Sequence, residues 1–199
     1  MDELFGETCF SGIELSTAPG RVMTPRPASE QLLERAVARL GSRSATVADV
    51  GSGSGALAVA VALRAPNVEV WAADLSPAAV ELARANVARH GLEDRVRVLR
   101  GDLLEAVPGE VDVVLANLPY LPQAVSNESR YADLHAEPAS AVFSPGDGLG
   151  PYRRLLEACE ERLRAGGLVI VQYRGDVFEG SRRRLSELLG ELEEHALAA

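Results

Sequence analysis

The chain of 199 residues contains no lysine, because all 20 of its basic residues are arginine. A lysine amine is the nucleophile or phosphate partner in Schiff-base enzymes, pyridoxal-phosphate sites and P-loops, so these classes are excluded. The 29 acidic residues give a net charge of −9, which argues against a surface that binds nucleic acid by neutralising many phosphates. A nucleic-acid partner is therefore disfavoured, although a small basic pocket fits this composition.

Cysteine and long apolar runs are also scarce. The 2 cysteines, Cys9 and Cys159, are far apart and lack metal-ligand spacing, so we expect neither a disulfide framework nor a metal site. Acidic residues occupy the N-terminus, where a signal peptide needs basic ones, and the longest apolar run, 56–63, is too short to cross a bilayer. These features predict a cytoplasmic protein with no membrane segment.

Hydrophobic residues (47%) and charged residues (25%) occur in the proportions of a globular protein, and the length predicts one structural domain. Short β-branched runs alternate with helical patterns from residue 46 onward, and the predicted strands are 46–50, 68–73, 95–99, 111–116 and 168–173. This alternation predicts an α/β fold with a doubly wound, mostly parallel Rossmann-like sheet and helices on both faces. Within it we expect an N-terminal arm and helix over residues 1–43 that pack on a core over 44–199.

The two ends of the chain give more specific expectations. Weak alternation over residues 10–16 and 21–23, around the turn dipeptide Pro19-Gly20, predicts a short hairpin or a pair of extended arms. Ser29 is expected to cap the helix that follows this hairpin. At the other end, residues 180–197 have the pattern of a charged amphipathic helix after the fifth strand.

Residues 51–55 form a glycine-rich loop, Gly-Ser-Gly-Ser-Gly, between the first of these strands and a helix. Free backbone N–H groups at a helix N-terminus favour a polar ligand, and glycine lets the backbone approach it closely. Together with Asp74, about 20 residues further on, the loop also satisfies a dinucleotide-binding fingerprint, so the glycines alone leave two ligands open. Asp49 suits the α-amino group of an amino-acid moiety and would repel a pyrophosphate, which favours S-adenosylmethionine over NAD.

Two carboxylates close the next two predicted strands. Asp74 is suited to accept both ribose hydroxyls, and Asp102 to accept from an adenine amine, with Leu103 packed on the ring. Each aspartate taken alone could instead cap the helix that follows it. The predicted cofactor-binding residues are Asp49, Gly51, Ser52, Gly53, Ser54, Gly55, Asp74, Leu75, Asp102 and Leu103.

The segment Asn117-Leu118-Pro119-Tyr120 follows the fourth predicted strand, at the carboxyl edge where an open α/β sheet binds its ligands. The side-chain oxygen of Asn117 and the carbonyl of Leu118 are two acceptors that suit the protons of a planar amino group. Pro119 restrains the backbone, and Tyr120 is suited to pack on the substrate plane. The same four residues also suit a plain β-turn. We predict that Asn117, Leu118, Pro119 and Tyr120 form the catalytic site.

These motifs resemble the catalytic domain of the HemK/PrmC-type protein-glutamine methyltransferases, a class I methyltransferase family. The resemblance extends over residues 10–36, the glycine loop, the Asn-Leu-Pro-Tyr segment and residues 137–157. It implies transfer of a methyl group from S-adenosylmethionine to a glutamine side-chain amide in the Gly-Gly-Gln motif of a peptide-chain release factor, with S-adenosylhomocysteine as product. The resemblance also implies that Asn117 is a cofactor-binding residue that contacts S-adenosylmethionine, and it puts Arg26 and Glu137 near the site.

The chain departs from this family in three ways. The family usually has proline where Leu118 stands, carries an N-terminal helical domain that helps to recognise the release factor, and ends in an antiparallel strand pair. Without that pair we expect the edge of the fifth strand to be open, or covered by the N-terminal arm, a partner or a second copy. The departures keep other functions open: methylation of a nucleic-acid adenine amine or of a small molecule, and cofactor binding without turnover by a shortened paralogue.

Overall fold

The computed structural model describes residues 6–198, and helices alternate with strands along most of that range. Residues 1–5 of the predicted arm lie outside the described residues. The elements are β1 (Gly6–Phe10), β2 (Ile13–Thr17), α1 (Ser29–Leu40), β3 (Ala45–Val50), α2 (Ala56–Arg64), β4 (Val68–Asp74), α3 (Pro77–Arg89), β5 (Val96–Arg100), β6 (Val111–Ala116), β7 (Leu121–Pro122), α4 (Ala139–Val142), β8 (Phe143–Ser144), α5 (Gly150–Arg162), β9 (Leu163–Tyr173), β10 (Asp176–Ser181) and α6 (Leu185–Leu197). Short 3₁₀ helices occur at Gln123–Val125, Ser129–Leu134 and Arg182–Arg184.

The central sheet has six strands in the order β10, β9, β6, β3, β4, β5. The strands from β9 to β5 pair in parallel, whereas β10 pairs with β9 antiparallel. From β3 the chain builds outward through β4 to β5, then returns to the centre and builds outward in the other direction through β6 to β9. This is the doubly wound order, so the predicted α/β fold with a mostly parallel sheet is confirmed.

The pleat of the strands sends alternate side chains into two separate cores. On one face Val113 and Leu115 of β6 belong to a cluster that includes α1, α2 and α3, and on the other face Val114 and Ala116 join α5 and α6. Because side chains alternate with a period of two, a strand covered on both faces is apolar at successive positions, as the last four residues of β6 are. Helices therefore cover both faces of the sheet, as predicted.

The predicted open edge beside the fifth strand is wrong. Residues Asp176–Ser181 form β10, which lies along β9. Arg174 and Gly175 make the turn between them with φ values of 51° and 94°, and such a left-handed two-residue turn matches the twist of a hairpin. The last helix accordingly begins at Leu185 rather than at residue 180. The chain itself covers this edge, which removes the reason for expecting a partner or second copy there.

The N-terminal hairpin also turns at a different place from the one predicted. β1 and β2 pair antiparallel with Phe10 opposite Ile13, and Ser11 and Gly12 form the turn instead of Pro19-Gly20. Both turn residues have positive φ values, 50° and 79°, as the favoured two-residue hairpin requires. Proline lacks the N–H that a strand pairing needs, and β2 ends before it.

Helix α1 begins at Ser29, but this serine does not cap it. Ala28 occupies the N-cap position with helical dihedral angles and makes no side-chain cap bond. The helix therefore begins one residue earlier than predicted, and Ser29 is its first residue rather than its N-cap. Ser29 is instead buried on the same face as Leu32 and Leu33. The predicted capping role of Ser29 is wrong, and its hydroxyl is available for contacts inside the protein.

Two kinds of feature are absent from residues 6–198. None of the helices there is long and apolar enough to cross a membrane. No group of three or more His, Cys, Asp or Glu side chains in this range could hold a metal ion. Cys9 is exposed and Cys159 is buried, and both are free thiols. Burial raises the pKa of the Cys159 thiol to about 12, so this side chain packs as an unreactive apolar group.

Candidate active site

The residues predicted to be functional lie at the carboxyl ends of the parallel strands. The glycine loop follows β3, Asp74 is the last residue of β4, Asp102 follows β5 and Asn117 follows β6. Parallel strands have their carboxyl ends at one edge of the sheet, which is where open α/β folds bind ligands. The fold thus gathers at one edge residues that are far apart in the sequence.

The glycine loop packs against the Asn117-Leu118 segment. Gly51 has a φ value of 69°, and a Cβ atom there would lie 2.8 Å from Leu118 Cδ2 and 3.9 Å from the carbonyl oxygen of Asn117. By contrast, a Cβ atom on Gly53 would meet nothing within 4 Å. Glycine at position 51 therefore allows the loop and the predicted catalytic segment to touch, while Gly53 faces open space.

The two serines of the loop are buried. The carbonyl oxygen of Ser54 accepts a hydrogen bond from Asn86 Nδ2 at 2.9 Å, and Asn86 Oδ1 accepts one from the Ser16 N–H at 2.8 Å. These bonds connect the loop to α3 and to the N-terminal hairpin. The hydroxyl of Ser52 is buried without a hydrogen-bond partner. The loop is held in shape by its neighbours, and its own N–H groups at Gly51, Ser52, Gly53 and Gly55 donate within the protein.

The carboxylate of Asp74 is oriented by backbone amides. One oxygen accepts from the Gly53 N–H at 2.9 Å and the other from the Ser76 N–H at 2.9 Å. A carboxylate oxygen has further lone pairs, so both oxygens can still accept from ligand hydroxyls. The neighbouring Leu75 is 64% exposed, although it is a large apolar side chain. An exposed apolar surface beside an oriented carboxylate suits a ribose with an attached base.

Asp49 lies beneath the loop and is only 1% exposed. One of its carboxylate oxygens is buried without a hydrogen-bond partner. Burial, with a smaller contribution from the charge of Asp74, raises the pKa of Asp49 to about 7, and the backbone amide of Ala58 partly opposes the shift. A buried acid of this kind is destabilising when ionised unless a cation reaches it.

We expect Asp49→Asn to stabilise the ligand-free protein in a pH-dependent way. The unfolded carboxyl ionises near pH 3.8 and the folded one near 7, so the folded state holds the extra proton between these values. Wild-type stability therefore falls as the pH rises through this window and stays lower above it. The variant lacks this loss. Its advantage in free energy of unfolding should be on the order of 2–4 kcal/mol at about pH 8, and smaller at about pH 5.

Denaturant unfolding of both proteins at the two pH values measures this difference directly. Other titrating groups contribute equally to the two proteins and cancel in the comparison. An advantage for the variant that is equal at both pH values would contradict a raised pKa for Asp49.

Asp102 and Leu103 line a cavity of about 350 Å³ that α5 borders. Asp102 Oδ2 forms an ion pair with Arg154 of α5 at 2.5 Å. This guanidinium competes with an adenine amine for the same carboxylate, so a ligand contact at Asp102 requires the remaining acceptor positions. The adenine-binding roles of Asp102 and Leu103 stay predictions.

A second cavity, of about 290 Å³, opens beside the Asn-Leu-Pro-Tyr segment. We call it the acceptor cavity. Its walls are mostly apolar, with few polar groups. They include Met23, Leu134, Val142, Asn117, Leu118 and Tyr120. Apolar walls around a few oriented acceptors are what a planar uncharged group with N–H donors requires.

The backbone of Leu118 is fixed by the hydroxyl of Tyr152. The Leu118 N–H donates to this hydroxyl at 3.2 Å, and the hydroxyl lies 2.5 Å from the carbonyl oxygen of Gln172 and 3.1 Å from that of Leu118. A carbonyl oxygen has two lone pairs, so the Leu118 carbonyl can accept from a substrate in addition to its contact with this hydroxyl. A proline at position 118 would restrain the backbone with its ring but would have no N–H to donate. With leucine, the hydrogen bond from the Leu118 N–H to Tyr152 restrains the backbone instead.

Tyr152→Phe should loosen this segment. It leaves the buried Leu118 N–H and Gln172 carbonyl without their partner, at a cost of about 1–3 kcal/mol in the free energy of unfolding. The matched control is Tyr173→Phe, because Tyr173 is equally buried and its hydroxyl has no hydrogen-bond partner. Thermal unfolding should separate the two variants, and equal losses would contradict the assigned bonds.

Tyr120 lies at the cavity wall as an uncharged aromatic side chain. Burial raises its pKa above the ordinary value, and the nearby Arg174 and Arg26 only partly oppose this. The phenol therefore stays protonated at neutral pH and is unsuited to act as a base. Its ring meets that of Tyr173 edge to face at 5.3 Å between centroids, which fixes its plane for packing against a substrate.

Arg26 and Glu137 meet each other beside the acceptor cavity. Arg26 Nη2 donates to Glu137 Oε1 at 3.2 Å, and the Thr24 N–H donates to Oε2 of the same carboxylate at 3.1 Å. The pair joins the N-terminal arm to the segment between β7 and β8. Both residues thus lie near the site, and their visible function is to hold two of its walls together.

Sequence reasoning missed three buried polar residues that support the site: Ser29, Tyr152 and Gln172. Ser29 and Gln172 bond to each other, and Asn117 Nδ2 donates to the Ser29 hydroxyl at 2.9 Å. The available signal was a polar residue on an otherwise apolar face. Ser29 shares its helix face with leucines, and Tyr152 is in line with the buried Leu155 and Leu156. A polar group in such a position needs an internal partner.

Comparison with protein families identifies most of this architecture. The family model described as Methyltransferase small domain matches residues 26–147, which is more than half of the chain. The matched range contains the glycine loop, Asp74 and the Asn-Leu-Pro-Tyr segment, while α5, β9 and α6 lie beyond it.

Curated relatives match over nearly the whole chain. Release factor glutamine methyltransferases are 40% identical over 172 residues in Gloeobacter violaceus and 38% identical over 174 residues in Mycolicibacterium smegmatis. These matches cover 85% and 87% of this chain but only 59% and 61% of the relatives. The relative from Bordetella pertussis is 38% identical over 190 residues, with 94% of this chain and 69% of the relative covered.

Solved structures agree with the fold. A ribosomal protein L11 methylase from Lactobacillus delbrueckii subsp. bulgaricus has a TM-score of 0.56 at 23% identity, covering 87% of this chain and 70% of the other. A T. thermophilus 16S rRNA N2 G1207 methyltransferase, in complex with AdoMet and guanosine, has a TM-score of 0.60 at 21% identity, with 84% and 41% covered. At these identities the likeness extends to the fold alone.

Proposed function

The chain belongs to the release factor glutamine methyltransferase family, and from this premise we propose that it transfers a methyl group from S-adenosylmethionine to a glutamine side-chain amide in a release factor. The family resemblance expected from the sequence is confirmed. One observation carries the proposal: the glycine loop packs against the Asn117-Leu118 segment so closely that a Cβ atom added at Gly51 would lie only 2.8 Å from Leu118 Cδ2. A cofactor on the loop and an amide in the acceptor cavity would therefore be neighbours.

The residues around the loop fit S-adenosylmethionine. Asp49 supplies a buried carboxylate oxygen without a partner, suited to a cationic amino group, and Asp74 supplies two oriented acceptors for ribose hydroxyls. The open space beside Gly53 leaves room for a ligand against the loop. When bound, the cofactor supplies a methyl group on a positively charged sulfonium; methylation of the amide nitrogen releases one amide proton to solvent and leaves S-adenosylhomocysteine as the product.

The acceptor cavity suits the amide. Asn117 Oδ1 and the Leu118 carbonyl oxygen accept from its two protons and hold the nitrogen toward the glycine loop. Neither group bears a charge, so a neutral carboxamide binds without leaving an unpaired ion in an apolar cavity. The ring of Tyr120 covers the amide plane. Most of the acceleration then comes from positioning, with no covalent intermediate on the chain.

The substrate class comes from the family, and a release factor is therefore the protein partner that we propose. The chain spans about 60% of the length of the first two curated relatives, so its action on that partner is a proposal for this chain. The proposal includes a cytoplasmic location, which the two free thiols favour. Methylation of an RNA amine or a metabolite, and cofactor binding without turnover, are the competing outcomes.

Methyl transfer from labelled S-adenosylmethionine tests the proposal. The acceptors are a folded release factor, the same factor with the glutamine of its Gly-Gly-Gln motif replaced by glutamate, ribosomal RNA and a metabolite extract. We expect label in the first acceptor alone. Label in RNA or in metabolites but not in protein would overturn the proposal. Cofactor binding by calorimetry with no labelled acceptor would identify a binding protein and overturn it equally.

A further inference from the structure

A chain of hydrogen bonds links α1, β9 and the predicted catalytic segment. Asn117 Nδ2 donates to the hydroxyl of Ser29 at 2.9 Å, and that hydroxyl donates to Gln172 Oε1 at 2.9 Å. Ser29 is 7% exposed and Gln172 is 3% exposed, so water competes little for these bonds. Both Asn117 and Gln172 also line the acceptor cavity.

The direction of these hydrogen bonds determines which end of the Asn117 carboxamide faces Ser29. A hydroxyl has one proton, and that of Ser29 is given to Gln172. Ser29 Oγ therefore offers only lone pairs to its other neighbour, and the NH₂ end of Asn117 must face it. Because nitrogen and oxygen lie on opposite sides of a planar carboxamide, Asn117 Oδ1 is turned away from Ser29 and left free to accept.

We propose that Ser29 is a positioning residue, which orients the Asn117 carboxamide so that Oδ1 accepts a proton of the substrate amide. The inference rests on the proposed function for the identity of that amide. The opposite orientation would present the Asn117 NH₂ group to the substrate NH₂ group, and two sets of donors cannot bond. Ser29 thus makes the site selective for a group that donates hydrogen bonds.

The position of Ser29 in α1 supports this assignment. The serine lies on the apolar face of the helix beside Leu32 and Leu33, where an alanine would also fit. It makes no capping bond to the helix. Its only side-chain hydrogen bonds within residues 6–198 are those to Asn117 and Gln172. A hydroxyl buried in an apolar face without such bonds would be destabilising.

Ser29→Ala removes the hydroxyl and lets the carboxamide rotate. We expect kcat for release-factor methylation to fall about tenfold, while the dissociation constant for S-adenosylmethionine changes less than about twofold. Ser29→Thr keeps the hydroxyl and should retain kcat within about threefold. Ser144→Ala is the matched control, because Ser144 is also buried and its hydroxyl has no hydrogen-bond partner. We expect this variant to have the kcat of the wild type.

A second measurement separates this inference from the proposed function. In ¹⁵N-labelled protein, the side-chain NH₂ of Asn117 should exchange slowly with water, and Ser29→Ala should accelerate that exchange at least about tenfold, whereas Ser144→Ala should not. This result needs no substrate, so it stands even if the wild type methylates no release factor. An active wild type with unchanged kcat and unchanged exchange in Ser29→Ala would overturn the role of Ser29. Accelerated exchange with loss of kcat, rescued by Ser29→Thr, would establish it.

Discussion

Replacing Asn117 by alanine should reduce kcat for methyl transfer by roughly 10²–10³-fold. The alanine lacks the oxygen that accepts from the substrate amide, and water that enters in its place is mobile. The amide then loses one of two contacts that hold its nitrogen toward the glycine loop. Because positioning supplies most of the acceleration in this account, the loss of one oriented acceptor has a large effect.

The matched control is Asn67→Ala. Asn67 also donates a side-chain hydrogen bond, to the Ser42 carbonyl at 2.9 Å, but it is exposed and lies before β4, outside the residues of the site. Steady-state assays of both variants, with calorimetric titration of S-adenosylmethionine, measure the effect. A fall of less than about fivefold in the Asn117 variant would show that its oxygen is not a catalytic acceptor.

Gly148→Ala should have the largest effect on stability, about 3–5 kcal/mol in the free energy of unfolding. A Cβ atom at this position would lie 2.1 Å from the carbonyl oxygen of Tyr120 and 2.9 Å from its carbonyl carbon. Gly148 also has a φ value of 89°, which side chains other than glycine adopt with strain. To make room, the backbone at Tyr120 must move, and the catalytic segment moves with it.

Gly146→Ala, in the same Gly-Asp-Gly motif, separates the close contact from the backbone strain. Gly146 has a φ value of 66°, but a Cβ atom there would meet nothing within 4 Å. Its substitution should therefore cost only about 1 kcal/mol and preserve activity. Denaturant unfolding and methyl-transfer assays compare the two variants. Equal stability losses would show that the contact with Tyr120 does not exist.

The sheet could be predicted from the sequence because its signal is local. Strands such as β6 have runs of apolar residues, and the loops between strands and helices contain glycine and aspartate in recognisable places. The turn of the N-terminal hairpin, Ser11-Gly12, differs from the predicted one, and the hairpin with its turn at Arg174-Gly175 was not predicted. Serine and arginine seldom adopt the positive φ values found there, so composition gave little indication of the turns.

The sequence predicts the residues that would contact the ligands, but not the buried residues that hold them in position. Asn117 and the glycine loop belong to motifs that a reader of the sequence can find. Ser29 bonds to Gln172 over a separation of 143 residues, and Tyr152 reaches Leu118 over 34. Periodicity indicates that such a residue is buried but does not identify its partner. Those partners depend on which elements the folded chain brings together.

The central claim is that the glycine loop and the acceptor cavity together methylate one amide of a release factor. Tandem mass spectrometry of a release factor, after incubation with this chain and S-adenosylmethionine, tests it most directly. The account predicts a single added methyl group on the side-chain nitrogen of the glutamine in the Gly-Gly-Gln motif, absent when the Asn117→Ala variant is used. A methyl group on another residue would contradict it. So would an unmodified release factor after incubation with a chain that binds S-adenosylmethionine.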